Sequence, residues 1–217
     1  MNHSILANLM HIGPLVILGV LAATICVERF YALYVVYPLK NIEQFFEAIQ
    51  QKVDENKVSE AITLCDRRAK SPAAQIVRVG LVRINQADEI IENGLGMAIS
   101  DAQERVQKRT GYLATIANVA TLTGLFGTVM GLVQSFEAIG GASAAQRSTL
   151  LAAGISTAMN ATLLGLGVAI PCLLVYALYA NKTNKLNKEI EKSAARTLDL
   201  IKIKFFANEV HKMKKAV

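Results

Sequence analysis

The chain has 217 residues, 53% of them hydrophobic and only 18% charged, with a formal net charge of +6 at pH 7. Soluble domains carry roughly 25% charged residues, and here charge is missing altogether from residues 111–136 and 148–180. That distribution excludes an ordinary soluble domain. It also leaves the excess of basic residues the simpler task of orienting the chain in a membrane rather than binding nucleic acid.

In chain order, residues 1–11 contain no Lys or Arg, so they lack the basic start of a cleaved signal peptide and precede a retained anchor. Residues 12–37 form the first span, interrupted only by Glu28 and Arg29, which are read as a local ion pair. Pro14 falls in its first turn, where a missing N–H costs nothing. Phe30, Tyr31, Tyr34 and Tyr37 suit an aromatic belt at the membrane surface, and Pro38 is placed to end the helix.

Residues 38–110 read as amphipathic helices. Ile42, Phe45, Phe46 and Ile49 share one stripe, and Val58, Ala61, Ile62, Leu64 and Cys65 make another. Pro72 suits a first helical position. The stretch 88–110 is polar but helix-favouring and predicts a helix running into the second span without a breaker. Residues 111–136 and 154–180 are the second and third spans, each longer than the about 20 residues a crossing helix needs. A short loop, 137–153, joins them, and 181–217 continues as a helix beyond the third span.

The segment 38–110 holds eleven Lys and Arg, and 181–217 holds ten; the loop 137–153 has only Arg147. Basic residues collect on the cytoplasmic side. The 38–110 region and the C-terminus are therefore expected inside, with the N-terminus and the loop outside in the periplasm. The fold class is all-α: an integral membrane protein with three transmembrane helices and long cytoplasmic helical extensions. The basic tail is also suited to touch anionic lipid headgroups.

Gly124, Gly127 and Gly131 in the second span, and Gly165 in the third, are expected to pack helices closely, because membrane helices associate through small residues. Asn118, Thr121 and Thr128 lie roughly on one face of the second span; Thr157 and Asn160 share a face of the third, and Thr162 points elsewhere. Asn is costly in lipid and faces a partner or water, so these six are the candidates for an ion pathway. Pro171 should kink the third span and free the carbonyl of Gly167. No ionisable side chain lies deep in the second or third span, so a titrating carboxylate would have to come from another polypeptide. The three Cys and three His have no metal-ligand spacing; no metal, cofactor or catalytic residue is expected, and the chain is not read as an enzyme.

LATIANVATLTGLFGTVMGLVQSF (113–136) resembles the second-span signature of the MotA/TolQ/ExbB proton-channel family, and GISTAMNATLLGLGVAIPCLLVYALY (154–179) its third-span signature. The Glu28–Arg29 pair is similar to one the family carries at the end of the first span. The resemblance, closest to ExbB/TolQ-type subunits, implies a homo-pentamer in the bacterial inner membrane. It would enclose an ExbD/TolR-like single-span partner whose membrane Asp binds the proton, and work on a TonB- or TolA-like energy transducer. Thr128 and Thr162 match the family's pore threonines. Many relatives have Glu where this chain has Thr157, which, with Asn160 a turn later, leaves sodium coupling open beside proton coupling. The alternative from another class is a structural membrane scaffold whose glycines and threonines only pack helices.

Overall fold

The computed structural model describes the backbone of residues 2–37 and 42–215 and the side chains of 13–37 and 42–205. Among these residues there are only helices: α1 (Asn2–Phe30) with a π-helical continuation (Tyr31–Val36), α2 (Ile42–Asp54), α3 (Val58–Arg67), α4 (Pro72–Val82), α5 (Asp88–Gln107), α6 (Thr110–Gly140) and α7 (Ala144–Lys215). Three helical stretches are long and apolar enough to cross a membrane. The chain divides into two units, Met1–Arg29 with Arg109–Ala180, and Phe30–Lys108 with Asn181–Val217.

The first unit is built from α1, α6 and the first part of α7. Its helices bury narrow stripes of mostly small residues and leave large ones outward: Leu122, Phe126, Leu163 and Leu174 are each more than 60% exposed. Outward Leu and Phe with inward Gly and Ala is the arrangement lipid favours, since hydrocarbon tails give helices no reason to hide large apolar groups. α1 starts at Asn2, ten residues ahead of the expected span, and its apolar stretch runs over Gly13–Val36. It is tied to α7 where Tyr179 donates its hydroxyl to the Cys26 carbonyl at 2.9 Å.

The second unit has a compact apolar core. Phe45, Phe46, Ile49 and Val53 of α2 meet Ala61 and Cys65 of α3 and Ala74, Val77 and Leu81 of α4, with Leu200 of α7 packed against them. These are the stripes the helical period predicts. Pro72 takes the first position of α4 behind an extended Ser71. Gly80 is the close-packing point: a Cβ there would press on the Thr197 methyl at 2.5 Å and also meet Leu95, so α4, α5 and α7 converge on it. Thr197 and Ser193 are fully buried yet satisfied, each donating to the carbonyl four residues back, at 2.7 and 2.6 Å.

At the end of α1 the helix widens into π geometry, and the Tyr37 N–H reaches the Ala32 carbonyl, five residues back, at 3.1 Å. Phe30 and Tyr34 stack at 5.1 Å, and Lys182 sits 5.3 Å from the Tyr34 ring centre. Pro38, expected to end this helix, lies outside the described residues; Tyr37 has already left helical dihedrals.

Two expectations fail here. The stretch 88–110 does not run unbroken into the second span: α5 ends at Gln107 and α6 begins at Thr110, with Arg109 in the left-handed region at φ 62°. The other concerns Glu28, whose ion pair is with Arg109. Adjacent side chains on a helix diverge by about 100°, so Glu28 turns to Arg109, whose Nη1 donates to both carboxylate oxygens at 2.7 Å. Arg29 is buried instead.

Candidate functional site

The second and third spans form an antiparallel helix pair whose seam is made of backbone. A Cβ on Gly165 would lie 2.8 Å from the Ala120 carbonyl oxygen and 2.9 Å from the Gly124 Cα. Further along, one on Gly127 would meet the Ala161 methyl at 2.6 Å, and one on Gly131 the Ala158 methyl at 3.0 Å. At the far end a Cβ on Gly154 would run into Ser135. The seam thus advances from Gly124–Gly165 through Gly131–Ala158 to Ser135–Gly154. Gly124, Gly127, Gly131 and Gly165 all lie on it and are buried.

Thr162 is also on the seam. Half-buried, its hydroxyl donates to the Gly124 carbonyl of the facing helix at 3.3 Å. The other threonines bond within their own helices: Thr128 to the Leu125 carbonyl at 2.6 Å, Thr121 to Ala117 at 3.0 Å and Thr157 to Ala153 at 3.0 Å. Asn118, Thr121, Thr157 and Asn160 are exposed, and Thr128 is half-buried. The structure therefore brings Thr162 to the glycine contact and leaves the other polar candidates on outward faces of the pair.

This arrangement has a chemical consequence. A hydroxyl has one proton and two lone-pair positions. Once the proton is committed to a backbone carbonyl, the oxygen faces outward as an acceptor. Thr121, Thr128 and Thr157 accordingly present acceptors, suited to a cation, a water proton or a protonated carboxyl. Asn118 and Asn160 add amide oxygens to the same outward surfaces.

Pro171 lies inside α7, which continues through it unbroken. It borders an apolar cavity of about 290 Å3 between α1 and α7, with Gly19, Ala22, Cys26 and Cys172 in the wall. The proline does not end the helix.

Sequence reasoning missed four ion pairs. Glu28–Arg109 joins charges 81 positions apart. In the second unit, Glu43 of α2 takes Arg196 Nη1 at 2.7 Å and Lys192 at 3.2 Å, while Lys202 meets Glu92 of α5 at 2.9 Å. The available signal was weak: nothing in a charged residue's own surroundings in sequence says which partner, as far as 153 positions away, it will meet. The thiol of Cys65, buried among α2, α3 and α4, is pushed up to about 12 by desolvation, with Asp66 adding to the shift. It is chemically quiet.

Residues 68–192 match the model of the MotA/TolQ/ExbB proton channel family. Among curated proteins, the chain is 30% identical to the Tol-Pal system protein TolQ of Haemophilus influenzae over 163 residues, 70% of each chain. It is 27% identical to the protein of that name from Pseudomonas aeruginosa over 100 residues, 45% of this chain and 42% of the relative.

Proposed function

The chain belongs to the MotA/TolQ/ExbB proton channel family, and on that premise we propose that it is a TolQ-type subunit of an ion-driven motor in the bacterial inner membrane. The observation that carries this reading is the outward display of uncharged acceptors on two apolar helices: Asn118, Thr121 and Thr128 on α6, Thr157 and Asn160 on α7. Left facing lipid, amides and hydroxyls would be costly. Facing a shared interior, they line a path.

In this proposal five copies surround a water-filled interior with α6 and α7 innermost. A single-span partner of the ExbD/TolR kind brings the membrane Asp that takes up the proton, since this chain has no ionisable group deep in either span. Thr128 and Thr162 stand closest to that carboxyl, the first as an acceptor for its protonated form. Ion flow then moves partner against pore, and the partner passes the work to a TolA- or TonB-like transducer. The N-terminus and the 137–153 loop lie in the periplasm, and the C-terminus lies in the cytoplasm.

Neutral oxygens at Thr157 and Asn160 also favour a second reading of the ion. Sodium takes uncharged oxygen ligands and needs no titrating group at that level. Collapsing the proton and sodium gradients separately, and following motor-driven work, distinguishes the two.

Purification in mild detergent with the one-span partner, followed by native mass spectrometry, tests the assembly. A pentamer retaining partner chains supports the motor. A monomer or dimer that holds none overturns it in favour of a structural scaffold.

A further inference from the structure

Three of the four residues 67–70 are basic: Arg67, Arg68 and Lys70. Arg67 ends α3 and the other two lie in the turn before α4. The turn's own backbone holds them in place. The Ala69 N–H meets the Asp66 carbonyl at 3.2 Å, and the Ser71 N–H meets the Arg68 carbonyl at 2.8 Å. The Gln75 side chain donates to the Ala69 carbonyl. These three basic residues line a cleft of about 480 Å3 within the second unit, and Val35, Val36 and Phe45 line it too. Arg68 lies over the Phe45 ring, its Cζ 5.3 Å from the ring centre, so charge and apolar surface meet in one place.

The charge is not cancelled from within. Among the described lining residues Asp66 is the one acid, and Arg78, which is not among them, donates to its carboxylate at 2.7 Å. Glu189 lies in a small adjoining space with Ser71 and Pro72, at the start of α4. That helix end already has a carboxylate of this chain beside it, so the pull on an anion rests on the three basic side chains. A phosphate suits them, because guanidinium and ammonium groups give its oxygens charge-assisted hydrogen bonds. The apolar lining says what the phosphate is attached to. Val35 and Val36 are the last residues of the apolar stretch Gly13–Val36, so the cleft lies where the hydrocarbon core gives way to headgroups. A soluble phosphate gains nothing from Val35 and Val36. A phospholipid brings an apolar portion joined to its phosphate at that depth.

We propose that this cleft seats one anionic phospholipid, with its phosphate on Arg67, Arg68 and Lys70 and the first part of its chains along Val35 and Val36. A headgroup without an amine is preferred, because the ammonium of a zwitterionic lipid would meet the same three cations. The bound lipid ties the end of the first span to the α3–α4 turn. The proposal rests on the chain's membrane spans and stands whether the ion moved is a proton, sodium or none.

The full-length chain in mild detergent is titrated with phosphatidylglycerol and, separately, with phosphatidylethanolamine, and the lipid retained per chain is counted by native mass spectrometry. Phosphatidylglycerol should be held at one per chain and at least about tenfold more tightly than phosphatidylethanolamine. Arg67→Gln combined with Lys70→Gln should weaken that binding by about thirtyfold. Both positions are exposed; should the double variant not fold, Lys70→Gln alone is read, with about a fivefold loss expected. Lys185→Gln combined with Lys188→Gln removes the same charge from exposed positions of α7 and should leave the binding unchanged. Glycerol phosphate, which has the phosphate without the chains, should not displace the lipid at equal concentration. Equal retention of the two lipids, or a preference that survives the loss of Arg67 and Lys70, overturns the proposal. So does an equal loss in the α7 pair, which would trace the effect to net charge. Displacement by glycerol phosphate would overturn the lipid as occupant in favour of a soluble anion.

Discussion

Thr162 donates its hydroxyl to the Gly124 carbonyl across the α6–α7 seam at 3.3 Å, one turn from the point where Gly165 faces Gly124. A side chain proposed for the ion path is thus also an interhelical tie. Interhelical hydrogen bonds in membranes contribute about 0.6 kcal/mol on average, so Thr162→Ala should lower stability only slightly. If the hydroxyl also serves ion movement, motor-driven work should fall far more than stability does, and Thr162→Ser should restore it. Unfolding in detergent beside a gradient-driven activity assay separates the two. Equal, small losses in both would remove Thr162 from the path.

Gly165→Ala should be among the most damaging single-methyl additions in the spans. Its Cβ would stand 2.8 Å from the Ala120 oxygen and 2.9 Å from the Gly124 Cα, both backbone atoms that cannot turn aside. Overpacking of this kind costs about 1–3 kcal/mol. Gly96→Ala, on α5, meets nothing within 4 Å and should gain up to about 1 kcal/mol from helix propensity. Thermal unfolding of the two variants should move in opposite directions.

Acid should loosen the contact between α2 and α7. The hydrogen bond from Arg196, and then that from Lys192, hold the Glu43 carboxyl below its ordinary value of 4.5. A carboxyl lowered in the folded state contributes its stability above that value, and the contribution disappears as pH falls through the lower folded value. Glu43→Gln should flatten this part of the stability profile below pH 4.5 while changing little at the acid-independent core. A variant profile that falls as steeply as the native one would exclude the contact as the source.

Cys65 should resist alkylation in the folded chain and react fully once unfolded. Burial raises its thiol to about 12, leaving almost no thiolate at neutral pH. Rapid labelling of the folded protein at this position would show that the α2–α3–α4 core opens easily.

The spans were legible because charge is absent from runs long enough to cross a bilayer, and that signal needs no partner to be read. The stripes of α2, α3 and α4 were legible for a similar reason: Phe45, Phe46, Ile49, Ala61 and Cys65 recur at the helical period and must bury one face. Pro72 announced the start of α4 through its fixed φ. Arg109 could not be read this way. Local propensity points to helix at Gln107, Lys108 and Arg109, yet Arg109 is left-handed and its guanidinium meets a carboxylate 81 positions away. Thr162 shows another limit. Its helical position was plain, but a half-buried hydroxyl looks the same in sequence whether it faces a neighbouring backbone or water. Only the register of Gly124 against Gly165 reveals which carbonyl it meets.

Beyond Ala180, the unbroken α7 constrains how the second unit can change in evolution. Within that unit Leu186 and Ile190 lie beside Pro72 and Ala73, while Thr197 meets Gly80 and Arg196 meets Glu43. An inserted or deleted residue between Ile190 and Ser193 would rotate the second pair of contacts against the first by about 100°. Lineages carrying this fold should therefore keep that stretch of α7 constant in length and confine their insertions to the loops.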